Sequence, residues 1–266
     1  MYAQSMSTRH SLLRAPVVVA LAGLAILVAS SGATAQTVTV GASRTNTLFE
    51  DPVGLTSAGA SPWLFAGATQ SLLIRRGLLY FDVASALPAG AVITSVTLQL
   101  HMSRTVAGIE PVSLHRVNSD WGSGASTPLG QGGTGAPAAQ ADATWLFRFF
   151  DEPSQAGPAW ATPGGDFDPA SLATTAVGGV GFYQWSSESL TLDVARWIAD
   201  PTQNFGWLLQ GTEGVGLTAK RFDSQFAANP SFHPQLVITF VPTPASGAFL
   251  IPLGAFAARR RRNTRN

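Results

Sequence analysis

The residues that could do chemistry here are three histidines, a few close carboxylates and a set of aromatics and arginines in the middle of the chain. His101 and His115 fall at outward or edge positions of strand-like runs, and His233 precedes Pro234, where a turn is expected. A metal site needs several converging ligands, so these imidazoles read as solvated or locally hydrogen-bonded. No Gly-x-Ser-x-Gly elbow, His-Glu-x-x-His pair or Walker-type phosphate loop occurs. The adjacent pairs Glu50-Asp51 and Asp151-Glu152 would point to opposite faces of an extended chain, which does not suit the facing carboxylates of glycoside hydrolysis. Asp166 and Asp168 flank Phe167 and would share a face if extended. They read either as a calcium ligand pair or as Asx turns in a Gly/Pro-rich loop. No catalytic residue and no cofactor other than that calcium is expected, and an enzyme is not the expected reading.

Binding is the better expectation. Sugars are held by aromatic faces against their C–H surfaces, with nearby polar groups making directional hydrogen bonds. Trp121, Trp145, Trp160, Tyr183 and Trp185, with Arg148, are the glycan-binding candidates, and Arg116, His115, Asp120 and Phe167 are near them in sequence. Arg75 and Arg76 would add carboxylate-pairing forks for an acidic polysaccharide. The alternative for each aromatic is core or loop-anchoring packing. Trp197 and Trp207, set among apolar neighbours at helical or strand spacing, read as core. Arg221 and Asp223, two apart on a strand, share a face and would pair with each other or cap a turn.

The elements that would position these residues are mostly strands. Short apolar or alternating runs separated by Gly, Pro, Ser and Asn clusters are the mark of a sandwich or barrel. Strands are expected at Thr37–Val40, Ser43–Glu50, Trp63–Ala66, Leu72–Val83, Val92–Met102, Pro111–Val117, Ala143–Phe150, Val180–Trp185, Leu190–Leu192, Phe205–Gly211, Thr218–Gln225 and Pro234–Val241. Val96, Leu98, Leu100 and Met102 would face inward with His101 outward, and Pro111–Val117 would pair with Val92–Met102 across the intervening loop. A short amphipathic segment is expected at Leu192–Ala199, and long loops at 118–142 and 151–171.

Both ends look like processing signals. Basic residues, an apolar run from Ala15 to Ala29 and Ala33-Thr34-Ala35 fit a signal peptide, residues 1–35, cut between Ala35 and Gln36. After the body, residues 36–241, comes Val241-Pro242-Thr243-Pro244, then an apolar stretch Gly247–Ala258, then Arg259, Arg260, Arg261 and Arg262. A short apolar stretch backed by arginines would halt transiently in a membrane with its basic end in the cytoplasm; the alternative is an anchor that is never cut. The body holds nine basic and fifteen acidic residues, a balance of −6, which argues against nucleic acid as a partner. There is no cysteine, so thiol chemistry and disulfide stapling are excluded.

Residues 242–266 resemble a PEP-CTERM sorting signal, with Thr243 where that motif carries Glu. The resemblance implies export past signal peptidase, processing by an exosortase-type membrane protease, and a destination at the cell surface or in the extracellular matrix. The body resembles the DNRLRE-type domain. The residues that carry this are Asn46-Thr47-Leu48-Phe49-Glu50 (with Thr45 in place of the leading Asp), Leu79-Tyr80-Phe81-Asp82, Leu87-Pro88-Ala89-Gly90 and Ile93-Thr94-Ser95. His115-Arg116-Val117 with Asp120-Trp121, the run Asn204 to Leu209, and Arg221-Phe222-Asp223-Ser224 complete it. It implies an all-β, jelly-roll-like β-sandwich with one short helix, related to carbohydrate-binding modules and flanked by the signal and sorting helices. The expected function is non-catalytic binding of extracellular or envelope polysaccharide. The alternatives are a purely structural matrix protein without a specific ligand and a polysaccharide-active enzyme.

Overall fold

The computed structural model describes residues 34–243. In chain order its elements are β1 (Gln36–Gly41), β2 (Arg44–Phe49), β3 (Thr56–Ser57), β4 (Trp63–Ala68), β5 (Ile74–Tyr80), β6 (Val92–Thr105) and β7 (Glu110–Arg116). Then follow β8 (Ala136–Pro137), β9 (Ala173–Val177), β10 (Gly181–Ser186), α1 (Glu188–Ala199), β11 (Trp207–Gln210), β12 (Lys220–Asp223) and β13 (Gln235–Val241). All strands but β3 and β8 join one antiparallel sheet, which curls so that its two halves share a core.

In one half β13 lies between β1 and β6, and β6 also pairs with β10 over Thr97–Met102 and with β12 towards its end. In the other half β5 pairs with β2 and β11, and β7 pairs with β11 and β9. Strand β4 belongs to both: Trp63–Ala66 pair with β12, and Gly67–Ala68 pair with β5. The bend falls on Gly67, at φ +114°, where a Cβ would lie 2.9 Å from the Thr218 carbonyl oxygen. Only glycine has both the conformation and the room.

Period-2 alternation fills the core. Leu236, Ile238 and Phe240 of β13 and Val96, Leu98, Leu100 and Met102 of β6 pack against Leu79, Leu114, Trp207 and Leu209 of the opposite half. The Trp185 indole N–H crosses the core to the Val112 carbonyl, at 2.7 Å. The other half has a second layer on its outer side. Leu48, Leu78, Val117 and Leu208 point outward there and are covered by Trp121, Ala143, Trp145 and Trp160 from the long loops. This is why Leu78-Leu79 and Leu208-Leu209 are consecutive apolar pairs: both sheet faces are buried.

Three sequence expectations fail. β7 does not pair with β6, because the chain crosses at Val106–Ile109 to the other half, where β9 and β11 flank β7. Ala143–Phe150 is not a strand, since its backbone closes on itself from Thr144 N–H to the Phe147 carbonyl and the Thr144 hydroxyl accepts from Phe147 N–H. Leu190–Leu192 is the start of α1, not a strand. Ser187 caps the helix by accepting from Leu190 N–H, Glu188 stands in the first turn, and Leu190, Asp193, Val194 and Trp197 form its buried stripe. The expected terminal helices, with Pro244 and Arg259–Arg262, lie outside the described residues; Ala35 precedes β1, Gln36 opens it, and Val241 closes β13 ahead of Pro242 and Thr243.

The connections sort to two ends of the curled sheet. At one end lie the loops 69–73, 106–109, 178–180 and 211–219. At the other lie 81–91, α1 with the turn after it, and 224–234, beside which Thr243 ends the described chain against Gly90.

Candidate functional site

The expected glycan platform is not presented to solvent. Trp121, Trp145, Trp160 and Trp185 are all buried. Three of them give the indole N–H to a backbone carbonyl: Trp121 to Phe205, Trp160 to Thr144, Trp185 to Val112. These rings anchor long loops to the sheet, and packing is the physical reason they stand where glycan stacking was expected. Tyr183 is half-buried, its hydroxyl donating to the Gly179 carbonyl and accepting from Gly178 N–H. Arg148 holds the carbonyls of Ala159 and Asp120.

The two arginines expected to serve an acidic ligand are internal ties. Arg75 stacks over Phe49 with Cζ 4.7 Å from the ring centroid and bonds the Ile74 carbonyl, and burial pushes its guanidinium down to about 10. Arg76 makes a two-pronged pair with Glu213 at 2.7 and 2.9 Å and bonds the Gly164 carbonyl.

The three described histidines are held by neighbours. His101 does lie on the outer face of β6, but it stacks on Phe232, centroids 3.9 Å apart, and its Nδ1 is 2.6 Å from Asp223. Asp223 therefore pairs with His101 and not with Arg221, which bonds Ser103 and Gln131 and lies over Trp63. His115 donates from Nδ1 to the Asp168 carbonyl, and His233 donates to the Ala227 carbonyl inside its turn. Asp166 accepts from Ala161 and Thr162 N–H and from the Ser119 hydroxyl, and Asp168 accepts from Ala170 N–H. Their oxygens cap turns, and among the described residues no group of three or more carboxylates and imidazoles converges. The donor set does not fit calcium.

What the fold does assemble is a cleft of about 420 Å³ between α1 and the end of β7. Its floor is built on Asp193, a fully buried helix residue that accepts from Trp207 Nε1 at 2.9 Å and from Arg116 Nε. Arg196, one turn further on, has an Nη 3.9 Å from the same carboxylate and an exposed side chain. Asn118, Gln203 and the half-buried Phe205 complete the walls. Asp200 closes α1 and caps the turn that carries Gln203 by accepting from the Thr202 hydroxyl and N–H, which hold its carboxyl below the usual range. Two guanidinium groups share one buried carboxylate here, and with Asp200 also on the lining the charges balance, leaving Arg196 as the cation most open to water.

Of these residues the sequence reading named only Arg116 near a site. The available signal was the i, i+3 pair Asp193 and Arg196 on an amphipathic segment. An acid on the apolar stripe of a helix demands a buried partner.

Compared with known proteins, the chain matches no family model and no curated protein.

Proposed function

We propose that this chain is a non-catalytic, secreted or surface-attached β-sandwich of jelly-roll type that binds extracellular or envelope polysaccharide. The single observation that supports the binding part is the cleft beside α1. It joins an apolar wall, Phe205 and Ala199, to donors and acceptors of the kind sugars use, Arg196, Asn118 and Gln203. A carboxylated sugar would place its anion at Arg196, the guanidinium left most open to water. The reading also takes in the N-terminal signal, the sorting tail and the resemblance to DNRLRE-type domains, with exosortase-type processing as the route outward.

The test is a glycan-array screen of the purified protein, followed by titration of any hit against Arg196→Ala. The expected result is saturable binding to a uronate-containing glycan, weakened at least tenfold by the substitution, in line with ~1.5–3 kcal/mol for a hydrogen bond to a charged group. A blank array on folded protein would leave the matrix role without a specific ligand, a reading favoured by the burial of the loop tryptophans. Mass spectrometry of the protein isolated from its cell tests the tail: the expected mature chain starts near Gln36 and ends near Pro242 to Ser246.

A further inference from the structure

Exposed aliphatic residues concentrate at the end of the sheet opposite the cleft. Val106 and Ile109 are 77% and 75% exposed, Val180 is 68% exposed, and Leu72, Val215 and Leu217 are about half or more exposed. They sit on four separate loops that are fastened to one another. Lys220, fully buried, donates its ammonium to the carbonyls of Ala107, Gly108 and Gly178, which joins the loop after β6 to the loop after β9. Leu217 N–H bonds the Thr69 carbonyl, and the Thr105 hydroxyl bonds the Ala219 carbonyl. Leu72 and Leu217 both hold left-handed backbone, φ +62° and +63°, which bulky residues seldom adopt. These are fixed loop tips with side chains that no described residue covers.

The charge pattern selects the occupant. Within the four loops the only charged residue is Glu213, which Arg76 neutralises; at their border Glu110 accepts from the Thr212 hydroxyl and Arg104 donates to Gln131. The rest of the body carries the net negative charge. Two copies would repel over most of their surface and could approach only where charge is missing, and an uncharged apolar patch is complementary to itself. No cation lies within the four loops, and Arg104 at their border is tied to Gln131, which leaves an anionic lipid surface little to bind. The position of the chain end agrees. Thr243 leaves the body beside Gly90, near the start of β6, whereas the tips follow its last residue, Thr105. At ~3.3 Å per residue these points are roughly 40 Å apart along the strand, so the described chain ends on the far side from the tips.

We propose that this apolar end is a homophilic contact, through which two copies dock tip to tip with the Thr243 ends of the described chain on opposite sides. The contact is independent of the cleft and its ligand and, resting on the surface attachment proposed above, would join copies held on two different surfaces.

The natural absence of cysteine makes a clean test. Val106→Cys is placed in the full chain displayed on its cell, with Leu129→Cys, an exposed apolar position outside the four loops, as the control, and both are treated with a mild oxidant. The expected result is a covalent dimer from Val106→Cys at least tenfold above the control, removed when Ile109→Asp is added. Leu217→Asn, which suits a left-handed position better than leucine does, should weaken the cross-link without loss of surface display. Equal cross-linking at both cysteines would overturn the proposal. So would a Val106→Cys protein that stays monomeric while a polarity-sensitive dye on that cysteine shifts on phosphatidylcholine vesicles, which would assign the tips to lipid.

Discussion

Asp142 is fully buried, with one carboxylate oxygen accepting from Ala139 N–H at 2.7 Å and the other without a hydrogen-bond partner. That second oxygen and the Ser123 carbonyl crowd Gly59 so closely that a Cβ there would meet them at 2.3 and 1.3 Å. Burial pushes this carboxyl up to about 6, against the pull of the Ala139 hydrogen bond. Between the unfolded value near 4 and that folded value the native state holds the extra proton, so stability falls as pH rises through this window. The loss amounts to about 3 kcal/mol at ~1.4 kcal/mol per unit. Asp142→Asn should therefore be more stable than the parent at pH 8 and should lose this part of the pH dependence. Urea denaturation at pH 4 and pH 8 checks both, and parallel curves for the two proteins would remove Asp142 as the cause. Residue roles were the least legible part of the sequence. Trp121 or Trp160 in a Gly-rich loop looks the same whether its ring meets a sugar or a sheet, and the decision lies with Leu78 and Leu208, far off in the chain. Several residues behind the family resemblance prove to be backbone ties: Asn46 bonds the Ala143 carbonyl and Ala58 N–H, and Asn204 bonds the Phe81 carbonyl and Gly206 N–H.

Strands with one buried face were read with little error, because β13 and the first part of β6 alternate cleanly. The reading failed where a second layer or a cap decided the outcome. Ala143–Phe150 has the composition of a strand but is bound to loop partners such as Gly122 and Pro158, and the start of α1 depends on Ser187. β6 stops alternating at Leu100-His101-Met102, all three buried, because Phe182 and Phe232 cover its outer face there. Pairing partners were beyond reach, since a connection of four residues serves a hairpin or a crossover equally well. Lys220 tests the element scale. Lys220→Met should leave three loop carbonyls without their donor and lower stability by about 2–4 kcal/mol. Hydrogen exchange should speed up first at 106–109 and 178–180. Unchanged exchange there would mean that the two loops do not depend on the ammonium.

The described body, residues 34–243, is a curled sheet with a polar cleft at one end and apolar tips at the other, and none of that polarity was visible before the strands were placed. The order of assembly follows from one pairing. β13, the last strand, lies between β1, the first, and β6, and contacts β1 in the register Gln36 to Phe240. A chain delivered amino end first, from a ribosome or through a membrane pore, must hold β1 and the Val92–Gln99 edge of β6 unpaired until residue 235 arrives. Contacts that bridge most of the chain make folding slow, and an open apolar edge invites aggregation in the interval. A chain stopped after Asn229 should therefore pellet rather than fold, as sedimentation of the expressed product would show; a soluble product with native β circular dichroism would contradict this. On the proposed export route the same delay would keep the chain threadable, with β13 acting as a latch that locks the body only once almost all of it has passed through.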